Sequence, residues 1–169
     1  ITFRVICNRG VSHEWVRHRI GWSYSQESTR YCNYGHDQGI TVVWPWYLGR
    51  VAIAPDDGQV YIASKGHCSV EEDFKASIWK DAMQFSENKY LHLLSLGCKP
   101  EEARGVLPND LKTEIVCTAN IVALRHFFKL RCAKASHPQI RELALQALAK
   151  LCATPLKILF EDLADQHLT

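Results

Sequence analysis

The stretch LKTEIVCTANIVALRHFFKLR, residues 111–131, decides how the second half of the chain is built. Leu111, Ile115, Ala119 and Val122 recur at the spacing of one helix face. They predict a single helix from Leu111 to about Arg131. A neighbouring face of that helix carries Asn120, Arg125 and His126. Working outward, further helices are expected on both sides. Ser69 with Glu72 has the form of a capping box. Phe74, Ile78, Ala82 and Phe85 then share one face of a long helix that Gly97 closes. Pro100 opens a short helix over residues 101–106, Pro138 opens another, and Thr154 with Pro155 opens the last.

The N-terminal half reads differently. Residues 1–7 alternate as a strand does, and Asn8, Arg9 and Gly10 break it. Ser12 is placed to cap a short helix from His13 to about Arg19, with Gly21 ending it. Residues 22–34 look extended or irregular. Ile40 to Trp44 is a candidate strand stopped by Pro45, and residues 51–54 and 60–63 flank a hairpin turn at 55–58. The expected fold class is therefore α+β: a single domain, residues 1–169, with a β-sheet packed by long helices.

Composition narrows the function. An apolar fraction of 47% and a net charge of +2 suit an ordinary globular domain and do not demand a nucleic-acid partner. No apolar run is long enough to cross a bilayer. Seven cysteines without a C-x-x-C pair read as reduced thiols, which points to the cytoplasm. Cys32, His36, His67 and Cys68 fit no usual zinc spacing, so no metal site is expected. The chain opens on Ile1, and the expectation is that an N-terminal part of the domain is missing.

Chemistry concentrates in Arg17, His18 and Arg19, followed by Ser28 and Arg30, beside the aromatics Trp15, Trp22 and Tyr24. A guanidinium is a fixed charge with a planar fork of donors that fits phosphate. Arg104, Arg125 and Arg131 add to this set. Arginine on an apolar helix needs a carboxylate or an anion. Glu14 can pair with Arg17 or His18 on its own helix face, or accept from a ligand. His126 reads either as a satisfied core histidine or as a contact residue.

Four blocks then resemble one family. They are residues 12–19 with 25–34, residues 103–109, Thr118 to Arg131, and residues 137–142. Their order and spacing resemble the flavin-dependent thymidylate synthases. The resemblance implies that family's fold and a chemistry that converts dUMP to dTMP. In it, methylenetetrahydrofolate donates the carbon and NADPH-reduced FAD supplies the hydride. It implies a homotetramer with composite sites. It also implies residue roles. Arg17, His18, Arg19, Gln26, Asn120 and His126 would contact the flavin. Glu14, Arg17, Gln26, Glu27, Ser28, Thr29 and Arg30 would surround dUMP, with Ser28 and Arg30 on its phosphate. Arg104 would add a phosphate contact from a neighbouring subunit. Arg131 would pair with the uracil edge and act as the catalytic residue, stabilising charge as the ring N–H ionises.

Two departures stand out. Ile20 to Glu27 is one residue longer than the family pattern, which reads as a bulge eased by Gly21. Val122 stands where many members carry an arginine. An alternative reading is a catalytically impaired relative that still binds FAD or nucleotide. Another is a nucleic-acid-binding module that stacks bases on Trp15, Trp22 and Tyr24. That reading leaves Arg104 and the residues from Asn120 to Arg131 unexplained.

Overall fold

The computed structural model describes residues 1–35, 39–48 and 70–168. The expected hairpin over 51–63, the capping box begun by Ser69, and His36, His67 and Cys68 lie outside the described residues.

The elements run β1 (Thr2–Asn8), α1 (Arg9–Trp15), β2 (Trp22–Gln26), a 3-10 turn (Trp46–Leu48), α2 (Val70–Ser95), α3 (Pro100–Ala103), a second 3-10 turn (Arg104–Val106), β3 (Lys112–Ala119), α4 (Ile121–Arg131), α5 (Pro138–Cys152), a third 3-10 turn (Pro155–Leu159) and α6 (Glu161–His167). The α+β expectation holds. Two compact units divide it. One comprises Ile1–Ile6, Val11–Gln26 and Glu114–Thr169; the other comprises Cys7–Gly10 and Glu27–Thr113.

The first unit holds most of a three-stranded sheet in the order β1-β3-β2. Strand β3 is central, and β2 pairs with it antiparallel, Trp22 opposite Ala119 and Gln26 opposite Ile115. Ile1 and Ala119 exchange backbone hydrogen bonds, and Thr2 meets Thr118 through their hydroxyls at 2.9 Å.

This overturns the single helix expected over 111–131. Residues 112–119 form a strand whose Thr113, Ile115, Cys117 and Ala119 are buried at alternate positions. Leu111, Ile115 and Ala119 are four residues apart, and four is both about one helical turn and two strand repeats. The β-branched residues Thr113, Ile115, Val116 and Thr118 favour the strand. Val122, the last member of the supposed stripe, is 79% exposed. The helix starts only after Asn120, whose side chain accepts from the Ala123 N–H at 2.8 Å and so caps α4.

Helices α4, α5 and α6 complete this unit. Phe127, Phe128, Leu124, Ile140, Leu148 and Phe160 are fully buried. Trp15 packs on Phe127 with ring centroids 4.5 Å apart, and Phe128 meets Phe160 edge-on at 5.7 Å. Arg125, on the polar side of α4, is held by Asp162 of α6 through both carboxylate oxygens.

Three smaller expectations change. Helix α1 spans Arg9–Trp15 rather than 13–19, so Ser12 is buried inside it instead of capping it. Its hydroxyl accepts from Gln26 Nε2 at 2.9 Å. The segment at Ile40–Trp44 makes only an isolated bridge, Val42 to Leu111, and not a strand. In the second unit, α2 buries Trp79 and Tyr90 and leaves Phe74, Ile78, Ala82 and Phe85 exposed. Gly97, at φ 90°, closes α2 as expected: its N–H and that of Cys98 bond back to Leu94 and Leu93. Asp110 ties this unit together, accepting from Trp79 Nε1 at 2.8 Å and Asn8 Nδ2 at 2.9 Å. No disulfide links the six described cysteines. No described helix is long and apolar enough to cross a membrane.

The strand assignment has a direct test. Ile115→Ala should cost about 2–5 kcal/mol in urea unfolding, the usual cost of emptying a buried Ile site. Val116→Ala, on the outward side of β3, should cost under about 1 kcal/mol. Equal costs would contradict the alternation.

Candidate functional site

In the first unit the site grows from the end of α4. Arg131 has a side chain only 20% exposed, so its charge needs acceptors. Its Nη1 donates to Glu14 Oε2 at 2.8 Å, Nη2 to the Glu14 carbonyl at 3.2 Å, and Nε to His18 Nε2 at 3.0 Å. Glu14 therefore serves Arg131 rather than Arg17 or His18. Arg17 does follow one turn on, its N–H meeting the Glu14 carbonyl at 3.4 Å, but its side chain is not the partner of that carboxylate.

Because Arg131 donates to Nε2, His18 carries its proton on Nδ1 and is neutral. Its pKa falls to about 4, first through burial, then through the positive charge of Arg131 and through His126. The His18 ring lies edge-on to Phe127 at 5.0 Å and 6.4 Å from the His126 ring. His126 is exposed, which removes the core-histidine reading. Arg17 and Arg19 flank His18, are exposed, and have no side-chain partner among the described residues.

The turn that presents these residues is compact. Ile20, 94% exposed, and Gly21, at φ 76°, lead into β2. Where the sequence suggested a bulge eased by Gly21, the chain makes a turn before the strand. Asn120 N–H donates to the Gly21 carbonyl at 3.1 Å. A Cβ on Gly21 would lie 2.5 Å from Asn120 Nδ2, so only glycine allows this approach. Gln26 ends β2 and bonds Ser12.

The second unit holds the other predicted residues. Ser28 Oγ accepts from the Arg30 N–H at 3.3 Å, and the Ser28 carbonyl accepts from Tyr31 and Cys32. Thr29 is buried. Arg30 donates through Nε to Glu101 Oε2 at 2.6 Å and lies over the Tyr31 ring at 5.4 Å. That hydrogen bond, with the charge of Arg30, holds the Glu101 carboxyl below its ordinary pKa. Glu27 accepts from the Tyr34 hydroxyl at 3.1 Å. Arg104 is exposed at the start of its 3-10 turn, with no side-chain partner among the described residues.

So Glu14, Arg17, His18, Arg19, Gln26, Asn120, His126 and Arg131 belong to one unit, and Glu27, Ser28, Thr29, Arg30 and Arg104 to the other. Sequence reasoning missed Glu101, the partner of Arg30, and the role of the Tyr24 hydroxyl, which reaches the His18 carbonyl. The alternation Trp22-Ser-Tyr-Ser-Gln26 was the available signal for a strand that points Trp22 and Tyr24 to one side. A separate cleft of about 620 Å³, lined by Cys132, Lys134, Arg141 and His167 among others, contains none of the predicted residues except at their chain neighbours.

Comparison with known proteins gives the family and the fold. The family described as "Thymidylate synthase complementing protein" matches residues 1–154, and the chain belongs to that family. It is similar to proteins named flavin-dependent thymidylate synthase. The one from Geobacter sulfurreducens is 36% identical over 141 residues, 83% of this chain and 51% of the relative. That from Nitratidesulfovibrio vulgaris is 33% identical over 153 residues, 90% of this chain and 55% of the relative. That from Pyrococcus furiosus is 30% identical over 146 residues, 86% and 51%. The chain thus spans about half the length of the curated relatives it matches. Its fold is shared with the UMP/dUMP methylase PolB from Streptomyces cacaoi, solved bound with 5-Br dUMP. The TM-score is 0.73 at 24% identity, over 95% of this chain and 70% of that one.

The protonation of His18 can be measured. A pKa lowered from 6.5 to about 4 means the unfolded chain takes up the proton first as pH falls. The contribution of His18 to stability is present above pH 6.5 and is lost as pH falls from 6.5 toward 4. Imidazole NMR should show neutral His18, protonated on Nδ1, with a midpoint near 4. Arg131→Gln should raise that midpoint. A wild-type midpoint near 6.5 would contradict the Arg131 contact.

Proposed function

We propose that this chain forms the catalytic part of a flavin-dependent thymidylate synthase, methylating dUMP to dTMP. The observation that carries the reading is Arg131. Glu14 and His18 hold three of its five N–H groups, which leaves two for a substrate. A planar fork with two free donors suits the imide edge of uracil. Arg131 then stabilises the negative charge that develops as the ring N–H ionises. Glu14 and neutral His18 fix the guanidinium in place before substrate arrives, so little reorganisation is needed.

The donor set fits FAD. Arg17 and Arg19 offer two exposed guanidinium groups to its pyrophosphate, with the neutral imidazole of His18 between them. Gln26, Asn120 and His126 would complete its contacts. Bound FAD, reduced by NADPH, supplies the hydride for the methyl group derived from methylenetetrahydrofolate. For dUMP, Ser28, Arg30 and Arg104 supply phosphate contacts, and Glu27 and Thr29 line the same stretch. Arg30 uses Nε toward Glu101, so its terminal nitrogens are available to phosphate. A homotetramer would bring Arg104 from a neighbouring subunit, and the exposed stripe of Phe74, Ile78 and Phe85 supports self-association. Thiols not joined in disulfides among the described residues support a reducing, cytoplasmic setting.

A second reading is a relative that binds FAD and nucleotide but turns over poorly. The exposed Val122, where many members carry arginine, favours it.

The purified protein should be yellow or should bind added FAD with a change in visible absorbance. With dUMP, methylenetetrahydrofolate and NADPH it should form dTMP. Arg131→Ala should lower turnover by about 10²-fold or more while flavin stays bound. Loss of flavin instead would reassign Arg131 to the cofactor. A colourless protein that ignores both FAD and dUMP would refute the proposal, and flavin binding without product would favour the second reading. Phe85→Glu should reduce the assembly size in light scattering.

A further inference from the structure

Tyr24 has no part in the roles above, yet its hydroxyl sits at the exit of α1. It lies 2.5 Å from the His18 carbonyl and 3.1 Å from the Trp15 carbonyl. Trp15 is the last residue of α1, and its carbonyl also accepts from the His18 N–H at 3.1 Å. The residues after Trp15 have few other ties. Val16 and Arg17 bond back into α1, and Trp22 N–H meets the Arg19 carbonyl at 3.5 Å. Among the described residues, Tyr24 supplies the hydrogen bond recorded for the His18 carbonyl.

We propose that Tyr24 is a positioning residue whose hydroxyl holds the Val16–Ile20 turn, so that His18 meets Arg131 and Arg17 and Arg19 stand on either side.

The ring is well placed for this. Tyr24 is opposite Cys117 in the β2–β3 ladder, so its backbone is fixed by the central strand. Its ring stacks on Trp22 at 5.7 Å with planes 7° apart. Trp22 in turn packs against Trp15 and Phe127. The ring therefore has little freedom, and the hydroxyl is delivered to one point. Burial raises the Tyr24 pKa well above its ordinary value, which keeps the oxygen protonated and a donor. Phenylalanine would fill the same space but could not donate. The His18 carbonyl would then be free to turn, and with it the imidazole and its flanking arginines. The part of this inference that concerns flavin rests on the proposed function; the part that concerns His18 does not.

The test is Tyr24→Phe, read by imidazole NMR and by flavin titration. The His18 midpoint should move up from about 4 toward 6.5 as its contact with Arg131 loosens. FAD affinity should fall about tenfold, the effect of losing one well-placed hydrogen bond. In the wild type, the Tyr24 hydroxyl proton should exchange slowly enough to be seen. A variant that melts earlier but keeps the His18 midpoint would overturn the proposal, because the hydroxyl would then serve stability alone. A fast-exchanging hydroxyl proton in the wild type would overturn it whether or not the variant folds. If wild-type protein binds no FAD, the proposed function fails and the His18 titration alone decides the role of Tyr24.

Discussion

Arg131 ends α4 with a guanidinium largely shielded from water, and a cation so placed must be matched by acceptors. The match comes from the carboxylate and carbonyl of Glu14 and from the imidazole of His18. This sets several features of the first unit together. It fixes the end of α4 against the end of α1. It requires His18 to be neutral, since a protonated imidazole could not accept from Arg131. It also ties up Glu14, which leaves Arg17 free of the pairing that its spacing suggested.

The constraint works only because two local devices aim the residues. Asn120 stops β3 and starts α4, and the length of α4 then carries Arg131 to the level of Glu14. On the other side, the turn at Ile20 and Gly21 lets the chain pass closely by Asn120 and enter β2. Gly21 is needed for both its positive φ and its missing Cβ. From this exposed turn β2 runs in register against β3, Trp22 opposite Ala119.

Electrostatics divides the arginines by role. Arg125 is matched by Asp162, and Arg4 by Glu114 at 2.6 Å, both on exposed surfaces where such pairs add little stability. Arg131 is matched but keeps donors in reserve. Arg17, Arg19 and Arg104 are exposed without side-chain partners among the described residues. It is the last two groups that keep donors for ligands, and they fall in the blocks whose order and spacing resemble the flavin-dependent thymidylate synthases. Arg30 is intermediate, bound to Glu101 through one nitrogen.

The sequence by itself determined the family, because the motif residues and their order are chemical facts that need no coordinates. It also determined the punctuation: the stop at Asn8, the close of α2 at Gly97, and the starts at Pro100, Pro138 and Thr154 follow from local backbone preferences. It misjudged residues 111–119, because a four-residue spacing satisfies helix and strand periods alike. Only pairing with β1 and β2 on both edges made the strand the better answer. Partner choice was likewise tertiary. Glu14 with Arg131, Arg30 with Glu101, and Tyr24 with the His18 carbonyl depend on distances across the fold, which spacing along the chain does not encode. The exposed stripe on α2 shows the same limit: a helix pattern fixes which residues share a face, and packing decides whether that face is covered.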